Sequence, residues 1–140
     1  MTEGKMLTYK GIQKVLLAKI PELRGPIERN FSYYDLKKEM PEPYPVFEDV
    51  LKQMVLQSLG APDSDQLLDR IFAFLEEMAC SQDKEVVNLL WIALLEPLVS
   101  DRGHVGSAWK YMGERTRQLA TELARTRGWH EYLPPGGNGG

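Results

Sequence analysis

Cysteine and histidine are scarce: one cysteine, Cys80, and two histidines, His104 and His130, in 140 residues. A single cysteine excludes an internal disulfide. So few nitrogen and sulfur ligands leave no metal cluster to read from the chain. His130-Glu131 opens like the zinc motif HExxH, but Pro134 stands where the second histidine belongs. Cys80 has no histidine near it in sequence and reads as a small buried residue at a helix end. The glycine patterns that cradle phosphate, GxGxxG and GxxxxGKS/T, are missing. No apolar run reaches the roughly 20 residues of a membrane span. The first residues carry lysines but only a short apolar stretch, Val15 to Ala18, and no signal-peptide cleavage site. No segment alternates apolar and polar residues over a strand's length. From these absences we expect an all-α, cytoplasmic protein that is not an enzyme, with no catalytic residues, no cofactor, no metal and no place in a membrane.

What the chain does have is helical periodicity, strongest from Asp63 to Ser100. At 100° per residue, Leu67, Leu68, Ile71, Phe72, Phe74, Leu75, Met78 and Ala79 fall in one arc of about 160°. Asp65, Gln66, Asp69, Arg70, Glu76 and Glu77 occupy the rest. Asp63 or Ser64 is positioned to cap this helix, and Ser81 the next. The second helix, about 82–99, is apolar in nearly every direction, with Asn88 and Glu96 as the main exceptions. Such a helix is expected at the centre of a bundle, with Pro97 kinking or ending it near Glu96. A buried Glu96 would need an ionic or hydrogen-bonding partner. The pair resembles one HEAT-type helical hairpin at 63–100, which must be covered by the other helices.

Around this hairpin the expected elements follow in order. A first helix spans roughly 9–20 with Thr8 as its cap. Gly25-Pro26 interrupts a helical stretch over 22–38, where Tyr33 and Tyr34 supply aromatic surface. The prolines of Met40 to Pro45 predict an extended connector, followed by a helix over about 46–59 ended by Gly60 and Pro62. Ser100 to Gly103 read as a loop and His104 to Met112 as a short helix. Glu114 to Arg127 form the last long helix, with arginines in its final turn and Gly128 after it. Residues 1–128 are therefore read as a single helical domain, an irregular bundle of five to seven helices around the central one. Residues 129–140 are read as a flexible tail.

Charge is unevenly spread although the net value is only −3. Residues 1–62 sum to +1, residues 63–101 to −7 and residues 102–140 to +3. An acidic centre repels nucleic acid and attracts basic partners. The arginines of the last helix are diluted by Glu114 and Glu122 and have no aromatic stacking platform, so nucleic-acid binding is not expected.

Four segments carry a family likeness: PVFEDVLKQM (45–54), LLDRIFAFLEEMA (67–79), DKEVVNLLWIALLEPL (83–98) and WKYMGERTRQL (109–119). Together they resemble a family of small helical bacterial proteins found among immunity proteins of polymorphic toxin systems. KYMG ahead of a threonine-containing helix, and EVVNLL with LLEPL downstream, are its distinctive parts. The resemblance implies a protein that binds and neutralises a cognate bacterial toxin domain by protein–protein inhibition. It assigns no site. Because many toxin domains that act on nucleic acid are basic, the acidic flank of the hairpin, Asp65, Asp69, Glu76 and Glu77, is the expected partner-binding surface. A helical adaptor for another cytoplasmic partner, or a small enzyme, are the alternatives.

Overall fold

The computed structural model describes residues 7–31 and 41–135. Among these there are helices and turns but no strands, so the all-α expectation holds. The described residues form seven helices. α1 is Ile12–Lys19, and α2 is Arg24–Asn30, entered through a 3₁₀ turn at Pro21–Leu23. α3 runs over 43–59 and α4 is Asp65–Ala79. α5 runs over 84–99 and α6 is Arg102–Ala108, extended by a 3₁₀ turn at Trp109–Tyr111. α7 is Glu114–Arg127.

α5 is the hub. It touches α3, α4, α6 and α7, and Val86, Leu89, Leu90, Ala93, Leu94, Leu95, Leu98 and Val99 are buried along it. α4 buries the apolar arc read from the sequence, except that Leu67 is only partly covered. α1 then packs on α4, and α2 on the middle of α3. No helix among the described residues is long and apolar enough to cross a membrane.

Both α3 and α5 widen into π-helix midway, at Phe47–Leu51 and Leu90–Leu95. In α5 this accommodates Pro97. The ring has no N–H for the carbonyl one α-turn back and would collide with it. Upstream the bonds run one residue further instead, as from the Glu96 amide to the Trp91 carbonyl. The helix therefore continues through Pro97 to Val99 rather than ending at Glu96. The two π-helical stretches lie side by side.

Several expected boundaries move, each for a local reason. Pro43 and Pro45 do not hold the chain extended. They occupy the first turn of α3, where the missing N–H groups have no partner to lose. Pro26 likewise sits in the first turn of α2 and does not interrupt it. Thr8 does not cap α1, whose N-cap is Gly11. Ser64 holds the N-cap position of α4, after Asp63 in left-handed backbone (φ 60°), but its side chain makes no cap bond. Ser81 is displaced by Asp83, whose side chain accepts from the Glu85 amide, while the Ser81 hydroxyl donates to the Leu7 carbonyl. Asp101 caps α6, so the expected loop at 100–103 is already helical from Arg102.

α7 begins and ends as read. Gly128 is left-handed (φ 78°), and the Trp129 amide reaches back to the Ala124 carbonyl at 2.7 Å, closing the helix end. The packed chain continues past Gly128, where a tail was expected. Trp129, Tyr132 and Leu133 lie against the core, with the Arg102 guanidinium over the Tyr132 ring. Tyr33 and Tyr34, and residues 136–140 of the expected tail, lie outside the described residues.

Candidate interaction surface

The four carboxylates read as a partner-binding flank are engaged in different ways. Glu76 completes the start of α7. That helix has Gly113 at its N-cap, which has no side chain to accept from the first amides. Glu76 supplies the oxygens from α4 instead. Its carboxylate accepts from the Arg115 amide at 2.9 Å, the Thr116 amide at 2.8 Å and the Thr116 hydroxyl at 2.7 Å. Thr116 is fully buried, so its two bonds are partly shielded from water, while the one from the Arg115 amide is exposed. A negative charge at a helix N-terminus is favoured by the helix dipole as well. Partial burial raises the Glu76 carboxyl, but the donors from Thr116 and Arg115 together outweigh it and hold the group below its ordinary value.

Gly113 is needed here for space, not for backbone freedom. Its backbone is extended (φ −76°, ψ 177°), open to any residue. A Cβ there would stand 2.5 Å from the Glu76 carboxyl carbon. The distinctive KYMG segment and the threonine three residues after its glycine are thus two halves of one contact.

Of the others, Asp65 accepts a hydrogen bond from the Tyr111 hydroxyl, and that bond pushes the phenol up to about 12. Glu77 points away from Glu76 and pairs with Lys19 at 2.8 Å. Asp69 is exposed and accepts no hydrogen bond among the described residues. Asp65, Asp69 and Glu77 thus stay exposed on α4, while Glu76 is turned into a contact within the chain. Three of the four carboxylates tie α4 to α1, to the turn before α7, and to α7 itself.

Glu96 pairs with Arg127 and keeps about a quarter of its side chain exposed (26%). It is a surface ion pair linking α5 to the end of α7. Cys80 is exposed rather than buried, with its sulfur 3.8 Å from Glu76; partial desolvation and the adjacent carboxylate push the thiol up, away from the reactive thiolate. Among the described residues no group of three or more His, Cys, Asp or Glu side chains stands close enough to hold a metal.

One feature of α5 escapes a reading of the sequence. The helix is not covered on all sides. Val87 and Trp91 are partly exposed, and Ile92 is 43% exposed, the one large hydrophobic side chain in that state among the described residues. An open groove of about 530 Å³ flanks it towards α7, and another of about 420 Å³ flanks it towards α3. Ile92 and Glu96 form the ridge between them.

A family model matches residues 14–130. The chain belongs to that family, described as a domain of unknown function (DUF7674). No curated protein and no solved structure matches. The part of the chain shared with the DUF7674 family takes in both π-helical stretches, the Glu76–Thr116 contact, the Glu96–Arg127 pair and the Ile92 ridge.

Proposed function

We propose that this chain is an immunity-type inhibitor. In the cytoplasm it binds a toxin domain of bacterial origin and blocks it, with no chemistry of its own. The observation that carries this reading is the exposed Ile92, beside a half-buried Trp91 that also packs on the core, on a helix whose other faces are buried. Such groups are already ordered before a partner arrives, so little conformational freedom is lost on binding. The resemblance of four segments to immunity proteins supports the same reading. A helical adaptor for another cytoplasmic protein would use the same kind of surface, and partner identity separates the two.

The test is co-expression with candidate toxin domains taken from the genes that neighbour this one. Restored growth together with a complex that survives co-purification is the expected result. A complex without rescue of growth would favour the adaptor. The absence of both rescue and complex would overturn the inhibitor reading.

A further inference from the structure

An inhibitor needs a docking face. Resting on the inhibitor reading, we propose that the ridge formed by Trp91, Ile92 and Glu96 on α5 is that face. Its partner is a protein segment that offers an apolar side chain flanked by lysines or arginines.

Three observations meet at this ridge. The first is apolar exposure at its centre, where Ile92 stands between two open grooves and the half-buried Trp91 lines the one towards α7. Buried aromatic anchors inside a polar rim are the usual source of interface affinity.

The second is charge. Glu48 and Asp49 line the groove towards α3, Glu122 lines the groove towards α7, and Glu96 stands between them. Lys52 and Arg127 are the cations of the two linings, and Arg127 is already engaged by Glu96 and by the Trp129 ring, 6.0 Å away. Carboxylates thus outnumber cations around an apolar centre. A basic segment gains attraction there over about a Debye length, roughly 8 Å at physiological salt, and an acidic one is repelled.

The third is the backbone. Glu48 and Asp49 belong to the π-helical stretch of α3, and Trp91 and Ile92 to that of α5. π-helical turns occur mostly as single insertions and are frequent at functional sites. Here two lie side by side and present the acidic rim and the apolar centre on one face. The α4 carboxylates have no comparable setting, since no exposed large hydrophobic side chain stands among them in the described residues.

The experiment uses the full chain and the candidate toxin domains of the co-expression test. Affinity and association rate are measured at about 50 and 300 mM salt, with melting temperature as the control for folding. Ile92→Asp is expected to weaken binding about 100-fold, mainly through faster dissociation. The triple variant Glu48→Lys, Asp49→Lys, Glu122→Lys is expected to slow association about tenfold at low salt and to flatten its salt dependence. Glu28→Lys, on the exposed side of α2, should change neither. If the parent chain forms the complex and folded Ile92→Asp binds as tightly, the ridge is not the docking face and the inhibitor reading survives. Weakening by Asp65→Lys with Asp69→Lys, but not by Ile92→Asp, overturns the ridge in favour of α4. If the parent chain forms no complex, both readings fall together.

Discussion

Glu76→Ala is expected to destabilise the protein by about 3 kcal/mol, since it leaves a buried hydroxyl and two helix-start amides without their acceptor. For a chain of this size that corresponds to a drop of about 10 °C in Tm. Glu76→Gln should fall between the two, because one oxygen remains to accept from Thr116 while the new amide faces donors. Urea unfolding at neutral pH measures both. A loss for Glu76→Ala below about 0.5 kcal/mol would mean that water replaces the carboxylate and that the contact is incidental.

The same contact carries a pH dependence. The folded chain holds the Glu76 carboxyl below its ordinary value of 4.5, so the unfolded chain binds the proton more readily. The stabilisation is therefore fully present above that ordinary value and is lost as pH falls through the lower, folded one. The parent's advantage over Glu76→Gln should shrink across that acid window. A constant difference between the two proteins from neutral pH down to about pH 3 would contradict the assignment.

Gly113→Val is expected to cost about 3 kcal/mol by the reciprocal route. Its Cβ would overlap the Glu76 carboxyl group, and the carboxylate must leave its donors to make room. The cost should largely disappear when Glu76 is already alanine, because the extended backbone at 113 accepts a side chain without strain. Gly113→Ser in the Glu76→Ala background should go further. A serine at the N-cap can accept from the Thr116 amide and recover about 1 kcal/mol. A double-mutant cycle reads this directly. Additive costs for Gly113→Val and Glu76→Ala would show that the two residues act independently.

How much of this can be read from the sequence depends on the kind of signal. α4 and α7 are legible because each repeats its apolar residues at helical spacing, and because Gly128 after a basic last turn marks an end that local chemistry decides. The capping residues are not. Thr8, Ser64, Ser81 and Asp83 all stand near helix starts, and tertiary contacts choose among them. Ser81 is drawn to the Leu7 carbonyl and leaves the role to Asp83. The prolines at 43 and 45 mislead because their number suggests an extended run, whereas their place in a first turn decides the outcome. The even spread of apolar residues over 86–99 correctly puts α5 at the centre. It conceals Ile92, since a wheel cannot tell which side the neighbours leave open. Glu76 looks like surface charge because its partners lie about 40 residues further on.

That separation bears on how far the two helices depend on each other. A helix opening on glycine, with its first amides unanswered, nucleates poorly by itself. In the folded chain the acceptor for the first amides of α7 comes from α4. Two helices distant in sequence are thereby coupled, and α7 excised from the bundle would lose the carboxylate that answers its first amides.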